Sequence, residues 1–454
     1  MTFFRLVLIA LAGWQLFPKD PVRPDLHLAS GVHAMRALER PTAGVALGIT
    51  LGASRLPFVL RAFGLADTST KAVTGPDTIF HIASVSKYIE AGVMLKLVDQ
   101  GKLSLDDDIT KYVAEAPTQG RRVTLRQLLQ HTSGIYSYTS VPNAAANEAS
   151  DLTHAQVLAL IKDRPFDFEP GTSWRYSNTG SYLVGMAIER VTGQPYGAFV
   201  RDSVFRPLGM NASSLCTARD ATPGLATGYA VRSGVLTAAP PMSWTLPFAG
   251  GGICSTVQDL LRWQQALDAG TFISKARLDE MRRPTTLPDG TRIDYGLGTR
   301  LGSLAGRRLL GHTGNGGGFN AVLEHFPDDR VSVVVLTNTD SGSALPLATA
   351  LARSAFELGA AAPVETPVPA AEAAAVAGVF ESADGTVENY ACGGTLCSRR
   401  PGETDGTPLR RTGPYIFAAG PDVEVRFMPL DARPAWAVVY SGGLFVDAKR
   451  RVAA

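Results

Sequence analysis

No HExxH, no CxxC and no block of lysine or arginine stands out in this 454-residue chain. The first two absences leave the seven histidines scattered without metal-ligand spacing, so neither a metal nor a cofactor is expected. The third, with 43 basic and 41 acidic side chains nearly cancelling, speaks against nucleic acid or an anionic membrane surface as a partner. Charged residues make up 19% of the chain, below the usual quarter, against 45% hydrophobic. That balance suits a compact globular protein rather than a disordered one. GxSxG is also absent, which removes one common presentation of a nucleophilic serine.

Long apolar runs are missing too. The N-terminal MTFFRLVLIALAGWQLFPKD carries one Arg before an apolar core that ends at Phe17, short of the ~20 residues a spanning helix needs. Small residues at Ala10-Leu11-Ala12 give cleavage spacing, so residues 1–27 read as a secretory signal, with an apolar N-terminal arm as the alternative. The expected location is exported, periplasmic or extracellular, or tethered to a membrane by that segment. Cysteine is scarce: Cys216, Cys254, Cys392 and Cys397. An even count suits an oxidising compartment and allows three pairings. Cys392 and Cys397 flank a Gly-Gly turn and can close a small loop, and four buried thiols are equally compatible.

The length favours two domains. Residues 43–66 read as a β-hairpin. An amphipathic helix begins in HIASVSKYIEAGVMLKLVDQG and stops at Gly101. Short helices are expected at 124–131 and 181–193, and Ser255 with Gln258 predicts a capping box opening a helix to about Gly270. Strands return at 307–313, 321–326 and 331–337, followed by a helix over about 346–358. Strands at both ends with helices between indicate an α+β domain whose terminal strands share one antiparallel sheet. Residues 359–375, rich in Ala and Pro, read as a linker. Residues 376–454 read as a small all-β accessory domain.

Ser84 and Lys87 lie three residues apart, on one helical face. A serine hydroxyl needs a base to become a nucleophile, and an uncharged lysine amine can serve. A helix start adds positive potential for the developing oxyanion. The same spacing also suits an N-cap serine with a snorkelling lysine. Tyr176-Ser177-Asn178 precedes a helix; its phenol can pass protons, and its amide can bind Lys87 and a substrate. His312-Thr313-Gly314, followed by Asn315, lies on a strand. Such an edge can align an extended substrate by backbone pairing, with the Asn315 and Ser84 N–H groups as an oxyanion hole.

SVSK, YSN and HTG in this order resemble the motifs of the serine β-lactamase and penicillin-binding-protein superfamily, in its class C-like branch. LLQHTSGI (128–135), PGTSWRYSNTG (170–180) and PLGM (207–210) extend the resemblance over residues 28–358. It implies a β-lactamase/DD-peptidase-like fold, with an antiparallel sheet flanked by helices and an all-helical region. It also implies acyl transfer through a covalent acyl-enzyme on a small-molecule or peptide substrate. Ser84 is then the nucleophile, and Lys87 and Tyr176 share acid and base work. Asn178, His312, Thr313, Gly314 and Asn315 become substrate-binding residues. The implied activity is that of a DD-peptidase or D-aminopeptidase. An esterase, a weak β-lactamase and a non-catalytic penicillin-binding sensor are the alternatives. Where class C β-lactamases carry lysine, this chain has His312. A histidine is mostly neutral at pH 7, which weakens the hold on a substrate carboxylate and counts against an efficient β-lactamase.

Overall fold

The computed structural model describes residues 43–52, 59–142, 150–216, 222–232, 235–240, 242–243, 245–341, 344–359, 365–383, 385–420, 422–429 and 434–452. The expected signal or arm at 1–27 lies outside them.

A mixed helix-and-sheet architecture forms around six antiparallel strands: β1 (Val45–Leu51), β2 (Val59–Phe63), β3 (Arg300–Leu304), β4 (Arg307–Gly316), β5 (Phe319–Phe326) and β6 (Val331–Thr337). Their order is β3-β4-β5-β6-β1-β2, so the N-terminal hairpin joins the C-terminal strands as expected. Val45 pairs with Thr337 and Leu51 with Val331. The near-continuous apolar run of β6 reflects burial on both faces. Val334 and Leu336 point into one core, and Val331, Val333 and Val335 into the other.

The first core holds helices α1 (Ser86–Asp99), α2 (Asn178–Thr192) and α3 (Val257–Asp268). The second is closed by α4 (Ala344–Ala355) through Leu347, Ala348, Leu351 and Ala352. Helix α1 differs from the amphipathic helix expected: every residue from Ser86 to Leu95 is buried. A helix covered on all sides belongs in the centre of a core, so its polar members Lys87 and Glu90 are buried with it. Helix α3 is capped by Thr256, whose hydroxyl accepts from the Asp259 N–H at 3.2 Å. Ser255, the expected cap, ends the strand Ile253–Ser255 instead, because a disulfide and strand pairing hold that segment extended.

The four cysteines pair as Cys216–Cys254 and Cys392–Cys397. The expected linker is only partly one, since α5 (Ala370–Val376) occupies its second half. Glu372 of α5 bonds Arg411, and Val376 enters the core of the C-terminal unit. Eight strands follow: β7 (Gly378–Ser382), β8 (Gly385–Cys392), β9 (Thr395–Arg399), β10 (Thr407–Gly413), β11 (Ile416–Ala418), β12 (Val423–Met428), β13 (Trp436–Ser441) and β14 (Leu444–Arg451). They form an antiparallel meander, and pairing of β7 with β14 closes it into a barrel. Phe380, Leu396, Leu409, Phe417 and Phe427 fill the interior.

The barrel is joined to the main sheet. Gly302 of β3 pairs with Leu444 of β14, and Gly443 carries positive φ where a Cβ would meet the Ser303 carbonyl at 2.0 Å. Strand β13 alternates between two cores. Ala437 faces the barrel interior, while Trp436, Val438 and Tyr440 pack outward with Phe445 against Trp174, Ile293 and Tyr295 of the main domain.

Candidate active site

Ser84 sits in a single 3₁₀ turn, Ala83–Val85, that precedes α1 rather than in the helix itself. Ala83 takes a left-handed φ of 44°, unusual for a residue with a Cβ, and this reverses the chain from the strand Phe80–His81 into α1. Lys87, in the first turn of α1, is 1% exposed. Its Nζ lies 3.2 Å from Ser84 Oγ, 2.8 Å from Asn178 Oδ1 and 2.9 Å from the Gly250 carbonyl. Three acceptors around one nitrogen match the three N–H groups of an ammonium. One of the three is a hydroxyl, which donates to the nitrogen instead once the amine is uncharged.

Asn178 opens α2, three residues earlier than the sequence pattern predicts, with Ser177 as the N-cap residue. Its amide is tied at every point. The backbone N–H donates to Ser137 Oγ at 3.1 Å, Nδ2 donates to Thr139 Oγ1 at 3.1 Å, and Oδ1 faces Lys87. The Tyr176 ring lies 4.9 Å from Lys87 Nζ. Its Oη is buried with no hydrogen-bond partner among the described residues.

Strand β4 passes directly over the serine turn. A Cβ on Gly314 would meet the Ile82 carbonyl at 2.2 Å and the Ser84 nitrogen at 3.0 Å, so only glycine permits this approach. Strand β3 pairs with β4 only as far as Gly311, so among the described residues His312–Gly316 keeps one backbone edge without a strand partner, on the side away from β5. Ser84 stands between two cavities. One, of about 120 Å³, is lined by His81, Ala83, Tyr138, Met242 and Leu246 among others. The other, of about 550 Å³, is lined by Tyr176, Arg300, Thr313, Gly314, Asn320, Leu345, Ala383 and Val446 among others. Ser84, Thr139, Asn178 and Asn315 border both. Among the described residues, no group of three His, Cys, Asp or Glu side chains is placed to hold a metal ion.

The family model described as Beta-lactamase matches residues 33–356. The chain belongs to that family. A penicillin-binding protein of Bacillus subtilis (strain 168) is 29% identical over 294 residues, covering 62% of this chain and 65% of that protein. A D-aminopeptidase of Brucella anthropi is 29% identical over 287 residues, 62% of this chain and 54% of the relative. The chain thus spans less than two thirds of the length of these relatives. The solved structure of a D-stereospecific amidohydrolase from Streptomyces sp. matches with a TM-score of 0.61 at 28% identity, over 73% of this chain and 99% of that one.

Within this β-lactamase-family cleft, the structure brings Ser84, Lys87, Tyr176, Asn178, Thr313, Gly314 and Asn315 together. His312 is the exception. Its backbone lies on β4, but its ring is fully buried and lines neither cavity. Nε2 faces Tyr295 Oη at 3.1 Å and Nδ1 faces the Thr313 carbonyl at 2.6 Å. Burial, reinforced by the charges of Arg300 and Lys87, holds this imidazole well below its usual range. That shift disfavours the charged ring, which is part of the wall behind the edge and faces neither cavity.

Arg300 takes the cleft-facing place and was missed in the sequence. It is 8% exposed and lies 5.7 Å from the Tyr176 ring. It donates through Nη1 to the carbonyls of Phe445 and Val446 in the barrel, while its Nε is buried without a partner among the described residues. No carboxylate of the described residues forms an ion pair with it. No local motif marks Arg300; it reaches the cleft because β3 pairs Arg300 with Gly311, beside His312. Thr139 and Gly250 were missed for the same reason.

Proposed function

We propose that this protein is a serine acyl hydrolase acting on short peptides that end in a free carboxylate, in the manner of a DD-peptidase. The observation that carries the chemistry is the Lys87 amine bonded at once to Ser84 Oγ and Asn178 Oδ1 at the floor of the cleft. In the uncharged form, Lys87 takes the Ser84 proton as Oγ attacks the scissile carbonyl. The Ser84 and Asn315 N–H groups hold the oxyanion. Tyr176, whose phenol oxygen has no partner among the described residues, relays a proton to the leaving amine. The C–N bond then breaks, and an ester on Ser84 remains. Water attacks that ester, giving the acid and restoring the hydroxyl.

The substrate class follows from charge. The cavity beside Ser84 contains a buried guanidinium, Arg300, with an unused donor, and no Asp or Glu among its described lining. An unpaired buried cation is costly unless an anion completes it, and a guanidinium matches a carboxylate. A site for an N-terminal ammonium needs the opposite charge. The small cavity on the other side suits a small side chain. The two disulfides support work in an oxidising, exported setting.

One panel on purified protein tests this: a D-Ala-D-Ala peptide, its C-terminal amide, a D-amino-acid anilide, a nitrophenyl acetate and a chromogenic cephalosporin. The free-acid peptide should exceed its amide by about tenfold or more in kcat/KM, the scale of one charge-assisted contact. A preference for the amide or the anilide would replace this reading with an aminopeptidase or amidase.

A further inference from the structure

Behind the cleft wall, three buried rings form a chain that no catalytic role absorbs. His131, Tyr295 and His312 are 2%, 0% and 0% exposed. The Ser177 N–H donates to His131 Nδ1 at 3.3 Å, so that nitrogen carries no proton. The neutral ring is then protonated at Nε2, which lies 3.0 Å from Tyr295 Oη. From the other end, His312 Nδ1 is 2.6 Å from the Thr313 carbonyl, which can only accept, so Nδ1 carries the proton and Nε2 is the acceptor. Between them stands the single Tyr295 hydroxyl, 3.1 Å from that Nε2. Each end of the chain fixes the same direction without reference to the other: His131 donates to Tyr295, and Tyr295 donates to His312.

These three rings link the two walls from behind the cleft. At one end it holds the backbone between Tyr176 and Asn178, and at the other the carbonyl of Thr313. His131 itself sits at a φ of 60°, and its ring packs 4.4 Å from the Tyr176 ring. We propose that Tyr295 is a positioning residue: it bridges His131 and His312, whose opposite tautomers the Ser177 N–H and the Thr313 carbonyl fix, and thereby sets the spacing between the Tyr176–Asn178 loop and the His312–Gly314 edge. The charged and titratable groups facing it are Lys87 and Glu90 from α1, Tyr176 from the loop before α2, and Arg300 from β3. The barrel covers it with Phe445, and the neighbouring Tyr440 turns its hydroxyl to Asp294 at 2.8 Å. Burial keeps both imidazoles well below their usual range, and a hydroxyl donating to His312 Nε2 favours the uncharged form of that ring further.

The inference rests on Ser84 as nucleophile, and fluorophosphonate labelling of wild type against Ser84→Ala tests that point separately. The positioning role is tested with Tyr295→Phe in the full chain, following the labelling rate of Ser84 from pH 5 to 9 together with Tm. Removing the hydroxyl leaves His312 Nε2 free to take a proton. The labelling rate should fall about 10–100-fold at pH 7, the usual effect of losing an orienting contact, and the acid limb of the profile should move up in pH. A rate within about twofold of wild type with an unmoved acid limb overturns the proposal, even if Tm drops. Because the variant can fail to fold, ¹⁵N spectra of the wild-type histidines at pH 7 give a second test. His131 should be protonated at Nε2 and His312 at Nδ1; the same tautomer at both, or a charged ring at either, also overturns it.

Discussion

Lys87 and His312 stand on opposite walls of one cleft, each supplied by its own motif and each buried, yet their surroundings divide their work. Lys87 has three oxygen partners, and one is the hydroxyl it is placed to activate. His312 has both ring nitrogens engaged inside the protein, by Tyr295 and Thr313. The serine wall thus directs its basic group at the substrate. The strand wall uses its basic group to hold its own backbone, and its cation comes from the neighbouring strand as Arg300. A titratable side chain in a motif is a candidate for chemistry only when a polar atom remains facing the cleft.

Substitutions on the two walls should therefore separate by kind of effect. Ser84→Ala should abolish phosphonate labelling and lower turnover by about 10⁴-fold or more, the scale of losing a nucleophile. Labelling that persists would put the nucleophile elsewhere. Lys87→Ala should slow acylation by roughly 10²–10⁴-fold, the contribution of a positioned base. A loss of only a few-fold would remove Lys87 from the mechanism and erase the contrast with His312.

On the strand wall, Arg300→Gln should reduce kcat/KM for a carboxylate-terminated peptide by about 10–100-fold, as for a buried charge contact, and change nitrophenyl acetate much less. Equal losses on both substrates would mean that Arg300 supports the barrel junction and not the substrate. His312→Lys should not improve carboxylate-bearing substrates, contrary to the expectation from the motif alone. It should instead destabilise by roughly 3–5 kcal/mol, the cost of an uncompensated buried charge. A stable variant with better turnover of carboxylated β-lactams would show that the position does reach the cleft.

The smallest expected effect is on stability against pH. Burial pushes Glu90 and Glu324 up to about 8. Between the ordinary value near ~4.3 and that range, the folded chain keeps protons that the unfolded chain has released. Stability is therefore lost as pH rises through 8. His81, down to about 4, and His131 and His312, also pushed down, act in the opposite sense. The unfolded chain takes up their protons first as pH falls below ~6.5, so stability is lost toward acid. Tm should peak between the two flanks, and Glu324→Gln should flatten the alkaline one, since an amide has no proton to lose. An unchanged alkaline decline in a Glu90→Gln, Glu324→Gln double variant would contradict this assignment.

Much of the fold was legible because periodicity reports burial directly. The hairpin at 43–66 and the strand at 331–337 fall where the apolar pattern puts them. Strand β4 runs three residues past its predicted end, because Gly314 and Gly316 give no periodic signal yet pair with Ala321 and Phe319. The cap of α3 moved by one residue because strand pairing held Ser255. The strands of the C-terminal unit are closed into a barrel, and its outer face is shared with the main domain. Trp436 and Phe445 read as strand residues, and the sequence gives no sign that they cover Trp174 and Tyr295.

The order of the chain by itself determined the serine turn, the lysine one turn later, the asparagine at a helix start and the glycine that lets a strand pass over them. These depend on local spacing and on the space a side chain occupies, and both are written along the chain. Tertiary structure alone decided that Arg300 faces the cleft and His312 does not, and that His131 and Tyr295 join them. Those contacts run between residues far apart in sequence, and they depend on strand register, which a motif does not encode.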